Sequence, residues 1–303
     1  MRYSKIPGQI VVSALLMAGV LQGCARKQDP EEDDGVPKAP IGKIQFGSHV
    51  SQPQYEALGA ALQTLDAIRV DNPSDALLAL LRLQDASPQS LRAWLEDRVQ
   101  FIVPENFDIG THVRIQARDY GYPNPGVVPV LEPPTRRIGQ VVGIKLMMLN
   151  IGGGLYVTAK EKGVLAVMKL EGVGDISITS PRVGILEIGD GMFIQTPTAD
   201  QVALNIFRLS ILFHEARHSD GNGKSTAFFH AVCPAGNDYA GVNACDRNVN
   251  GPYTVGGTVL KNLLDSCVDC SAEGREKLRL NYLDTQSRII GGDAWDDAPE
   301  GRR

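Results

Sequence analysis

Apolar residues recur at helical spacing along the first long stretch that looks globular. Leu58, Leu62, Leu65 and Ile68 fall three or four residues apart, which predicts a helix with one buried face. Leu77, Leu80, Leu81 and Leu83 form a second such face after Pro73, with Ser74 or Asp75 as its cap. Ser87-Pro88 opens a third, carrying Leu91, Trp94 and Leu95. Residues 46–100 are therefore expected to be helical. Over residues 101–195 the pattern changes to short β-rich runs at 113–115, 139–149, 155–157, 164–170, 176–178 and 183–188. Asn124-Pro125-Gly126, Gly152-Gly153-Gly154 and Gly189-Asp190-Gly191 read as turns between them. These runs predict a bent, mostly antiparallel sheet. Helical spacing returns at residues 199–218, where Leu204, Phe207, Ile211 and Leu212 lie close to one face, with Thr198 as cap and Asp200 in the first turn. The chain then reads as loop-rich, apart from a last helix over residues 272–290 and a frayed tail at 293–303.

The class implied is α+β. One domain spans residues 46–292: a helical part (46–100), a sheet (101–195), and a central helix with a C-terminal part (196–292). With 43% hydrophobic residues the chain can bury a core of that size. A net charge of −5 and a pI near 5.6 give no global attraction to nucleic acid, and no nucleic-acid partner is expected.

The first residues follow a different logic. Arg2 and Lys5 precede an apolar run at residues 10–21, which ends in Leu21-Gln22-Gly23-Cys24. That order reads as a secretory signal, and the run is short for a membrane span. The Leu-x-Gly-Cys ending resembles the bacterial lipobox. The resemblance implies that residues 1–24 are a lipoprotein signal peptide and that Cys24 receives acyl chains, palmitate among them. It also implies an anchor in the cell envelope; Ala25, where an Asp would retain the protein at the inner membrane, favours the outer membrane, facing the periplasm or the cell surface. Residues 25–45 are Pro-rich and contain Glu31-Glu32-Asp33-Asp34, the composition of a flexible tether. With Cys24 set aside, four cysteines remain: Cys233, Cys245, Cys267 and Cys270. An even number in an exported chain predicts two disulfides. Three pairings are open, of which Cys233–Cys245 and Cys267–Cys270, joining near neighbours, are favoured over the others and over a four-thiolate zinc site.

The chemistry concentrates in His214-Glu215-Ala216-Arg217-His218, at the end of the apolar helix. Histidines four apart share one helix face, one turn apart, so two neutral imidazoles can hold one Zn²⁺. Glu215 lies beside that position, where a carboxylate can take a proton from a water the metal activates and pass it to a leaving group. The rival reading is two histidines suited to a helix C-terminus by their charge.

With the strands before it and the helix that carries it, this motif resembles the zincin metallopeptidases. The resemblance is local, over about residues 140–230. It implies a zinc-dependent peptidase with Glu215 as the catalytic base and His214 and His218 as ligands. It also implies an edge strand, around residues 155–157 or 183–188, that pairs with an extended peptide or protein substrate. His218-Ser219-Asp220-Gly221 begins the longer metzincin pattern, but Lys224 stands where that pattern needs a ligand; the gluzincin pattern would draw on Glu273. The third ligand is expected to be His230, with Asp220 as alternative (or as acceptor for a ligand imidazole) and Asp238 and Asp246 behind it. Tyr253 is a candidate transition-state donor, set against a plain surface-loop tyrosine. Two rivals to the peptidase remain open: a non-catalytic envelope lipoprotein with a structural or vestigial zinc site, and a hydrolase of cell-wall amides.

Overall fold

In the computed structural model, the described residues are 38–47, 50–104, 137–141, 144–148, 152–157, 163–170, 174–180, 183–193, 200–218 and 230–291. All of them belong to the unit Asp33–Arg303. The expected signal peptide, Cys24, the strand at 113–115, the turn at 124–126, the Thr198 cap, Asp220 and the tail lie outside them. Most of the expected tether does as well.

The three predicted helices are present and their starts are chemically marked. Helix α1, Gln52–Ala67, opens on a capping box: the Ser51 hydroxyl accepts from the Gln54 N–H while the Gln54 side chain accepts from the Ser51 N–H. Helix α2, Asp75–Leu81, is capped by Ser74, and α3, Pro88–Glu96, by Ser87. Leu58, Leu62, Leu65, Leu77, Leu91 and Leu95 enter one core, together with much of the C-terminal half.

Among the described residues, the strands form one four-stranded sheet and three two-stranded pairs. In the larger sheet the order is β1 (Gln45–Phe46), β2 (Phe101–Pro104), β8 (Val183–Ile188), β5 (Gly152–Val157). The β1–β2 and β2–β8 pairings are parallel and only β8–β5 is antiparallel, so this sheet is mixed rather than mostly antiparallel. Antiparallel pairing does rule the others: β3 (Arg137–Val141) with β4 (Ile144–Met148), β6 (Gly163–Leu170) with β7 (Gly174–Ser180), and β9 (Ala231–Val232) with β10 (Asn243–Cys245). Two readings change. The expected run at 139–149 is a hairpin of two strands. Gly152-Gly153-Gly154 is not a turn but the start of β5, paired with Leu186, Glu187 and Ile188. A ladder depends on backbone groups that glycine has, while the side chains it lacks carry the sequence signal.

Helix α4, Gln201–His218, carries the motif and is buried nearly all round. Its start is capped by Asp200, whose Oδ1 accepts from the Ala203 N–H at 3.0 Å and whose Oδ2 accepts from Ser271 N at 2.6 Å. Burial pushes the Asp200 carboxyl up, but these hydrogen bonds outweigh it and hold it below its ordinary value. Ile206, Leu209, Leu212, Phe213 and Ala216 are its most buried apolar residues. Trp94 of α3 stacks on Phe213 at 5.2 Å between ring centroids, and Asn205 donates to Thr64 of α1 at 2.9 Å.

The stretch expected to be loop-rich contains a further helix, α5, Pro252–Ser266, followed by α6, Ala272–Ser287. Val255, Val259, Leu260, Leu263 and Leu264 form its buried face. Gly256 explains why it escapes a reading by propensity. A Cβ there would lie 2.9 Å from the Ser210 carbonyl oxygen and 3.0 Å from the His214 Cβ. Glycine weakens the helix signal by about 1 kcal/mol and lets α5 approach the motif helix more closely than any other residue would.

Candidate metal centre

Helix α4 presents His214 and His218 one turn apart, and the segment entering β9 brings in His230. One ligand nitrogen from each of the three lies within 4.8 Å of the others. Among the described residues this is the only such group of three histidine, cysteine or acidic side chains. The ring centroids are 5.2 Å apart for His214–His218, 5.1 Å for His214–His230 and 4.7 Å for His218–His230. The Nε2 atoms of His214 and His230 stand 3.2 Å apart. Two imidazole nitrogens bound to one tetrahedral zinc at about 2.0–2.1 Å would be about 3.3–3.4 Å apart. The three imidazole nitrogens thus fit a small divalent metal in type, and the His214–His230 separation fits in geometry.

Glu215 is buried and is not one of the three. Its Oε1 lies 4.0 Å from His214 Nε2 and its Oε2 4.0 Å from His218 Nε2. A carboxylate at that distance would stand beside a metal held by the rings, where it could exchange a proton with a water on that metal.

Of the two acids ranked behind Asp220, Asp246 has a different place from the one expected. It is not in the ligand group; its Oδ1 lies 2.8 Å from His230 Nδ1, with both side chains 2% exposed. Glu273, the acid the gluzincin pattern would use, is not in the group either: its side chain is 68% exposed and pairs with Lys277 at 2.7 Å.

Tyr253 is no surface-loop residue. It lies in the first turn of α5, is buried, stacks on His230 at 4.7 Å and meets the His214 ring edge-on at 4.5 Å. Its hydroxyl accepts from Arg288 Nη1 at 2.8 Å. Arg288 is fully buried, bonded also to Tyr239 and, at 2.6 Å, to Asp284. Burial pulls the guanidinium down, yet Tyr253, Asp284 and Tyr239 outweigh that and hold it above its ordinary value. Arg217 of the motif donates to the Asn250 carbonyl at 3.0 Å and so ties the end of α4 to the segment before α5.

Both favoured disulfides are present, Cys233–Cys245 and Cys267–Cys270. The first closes the β9–β10 ribbon three residues after His230 and immediately before Asp246. It therefore braces the histidine against the acid that bonds it. Sequence reasoning did not find Asp246, Tyr239, Asp284 or Arg288 in these roles. They converge from separate loops and helices, and no spacing within the chain announces that.

No protein-family model, curated protein or solved structure matches the chain.

Proposed function

We propose that the chain is an exported zinc-dependent hydrolase, a metallopeptidase of zincin type. The observation that carries the reading is the convergence of His230 on the two motif histidines, with the His214–His230 nitrogen separation expected of a shared metal and Glu215 beside the pair. A zinc held here supplies a Lewis acid and lowers the pKa of its water toward about 7. His214, His218 and His230 hold and orient the metal. Glu215 takes the proton from the attacking water and returns it to the leaving amine. Tyr253, whose hydroxyl oxygen accepts from Arg288, is the candidate donor to developing charge. Among the described strands, β5 is an edge of the four-stranded sheet and abuts α4, whereas β8 is paired on both sides. It is therefore β5 that fits an extended substrate by main-chain pairing.

A structural zinc site is usually closed by four protein ligands, and a catalytic one leaves a position open. The three histidines found among the described residues match the open kind. The zinc-loaded protein should cleave members of a mixed peptide and denatured-protein library. Cleavage should stop on chelation and return with zinc. Loaded protein that cleaves only cell-wall fragments would make it a cell-wall amidase, and one that cleaves nothing would leave a structural or vestigial site.

The N-terminal reading joins this proposal: a lipid on Cys24 anchors the enzyme in the envelope. Cys24→Ser should move the protein out of the membrane fraction or leave its precursor uncleaved. Unchanged partition in cell fractionation would refute the anchor.

A further inference from the structure

We propose that Asp246 is the positioning residue of the histidine cluster: one carboxylate selects the nitrogen that His230 offers and sets the helix that flanks it. The inference rests on the metal reading above for its consequence, though not for its geometry.

The two carboxylate oxygens do separate jobs. Oδ1 stands 2.8 Å from His230 Nδ1, and Oδ2 accepts the Tyr253 N–H at 2.8 Å. The first contact keeps the ring proton on Nδ1 and leaves the lone pair on Nε2, the atom 3.2 Å from His214 Nε2. The second replaces a missing cap. The N-cap of helix α5 is Gly251, which has no side chain to cap it, and Asp246 accepts the orphan Tyr253 N–H from outside the helix. That contact fixes the turn bearing Tyr253, whose ring stacks on His230.

The surroundings hold the carboxylate in this two-way position. Asp246 is 2% exposed. Its N–H donates to the Arg288 carbonyl at 2.9 Å, and its own carbonyl accepts from Ile290 N–H at 3.0 Å. Its neighbour Cys245 is bridged to Cys233. Gly251 gives it room: a Cβ there would fall 2.6 Å from Asp246 Oδ2.

Asp246→Asn tests this because an amide has one acceptor oxygen where two are used. One orientation sets its NH₂ against the Tyr253 N–H, donor to donor. The other sets it against His230 Nδ1, which must then accept and send its proton to Nε2, the nitrogen a metal would need. The experiment is histidine-selective ¹⁵N NMR on zinc-free and zinc-loaded protein, with zinc affinity measured by chelator competition. In the wild type His230 should carry its proton on Nδ1 in both states. In Asp246→Asn the single Nδ1–H form should be lost and zinc affinity should fall about 10–100-fold. A merely structural role would lower thermal stability and leave the tautomer alone. Wild-type His230 protonated on Nε2 alone would overturn the proposal, even if the variant did not fold. So would a folded variant with the wild-type tautomer and wild-type affinity. A wild type that binds no zinc but keeps the Nδ1–H form would defeat the metal reading and leave the Asp246–His230 pairing standing.

Discussion

Glu215→Gln protein is expected to bind zinc as the wild type does and to turn over substrate about 10²-fold or more slowly. Glutamine keeps the size and one acceptor oxygen of the buried side chain, so the packing of α4 should survive. Glu215 is not in the ligand group, so the three rings should hold the metal unaided. What the amide lacks is a site for the proton. His214→Ala removes a ligand instead and should lose metal and activity together. The pair is decisive because a structural zinc site would respond to the second change and not to the first. Steady-state rates on a substrate from the library, with zinc content measured on the same preparations, check both. A Glu215→Gln enzyme as fast as the wild type would refute the mechanism even with the metal site intact.

The largest effect on stability should come from Asp284→Asn. The change preserves shape but takes the anionic partner from Arg288, which is fully buried and bonded at 2.6 Å to Asp284. With its pKa held above the ordinary arginine value, that guanidinium stays charged at any pH of interest. A buried charge stripped of its partner costs about 3–5 kcal/mol, which in a chain of this size lowers Tm by on the order of 10 °C. Because Arg288 also bonds the Tyr253 hydroxyl and accepts the Asp246 N–H through its backbone carbonyl, zinc affinity should weaken too. The exposed Glu276–Arg279 pair is the control. Solvent screens it, and Arg279→Ala should leave Tm unchanged. Thermal melts of the three proteins decide, and an Asp284→Asn melt equal to the wild type's would show that the buried Arg288 charge does not depend on Asp284.

How much of this could be read in the sequence depends on how local the cause is. The caps at Ser74 and Ser87 and the leucine stripes act within one turn of helix, and they were legible. So were two motif histidines four residues apart, whose spacing alone sets them on one face. His230 was reachable by elimination in a chain of five histidines and by the cysteine three residues beyond it. Helix α5 was hidden by Gly256, which answers to the carbonyl of Ser210 and the Cβ of His214 rather than to its own helix. Likewise the glycines of β5 were read as a turn because their strand is set by backbone pairing with β8. The parallel pairing of β1, β2 and β8 joins segments far apart in the chain, and alternation within a strand says nothing of its partner's direction. Asp246 bonds a ring sixteen residues before it and a backbone N–H seven residues after it, and neither relation leaves a pattern in the sequence.

The central claim is that three histidines hold one metal. Elemental analysis of zinc per chain, on wild type and His230→Ala loaded with zinc and freed of excess, tests it most directly. The wild type should hold about one zinc and the variant well under one, with both proteins folded by circular dichroism. A wild type that retains no zinc, or a His230→Ala chain that still retains a full equivalent, would contradict it.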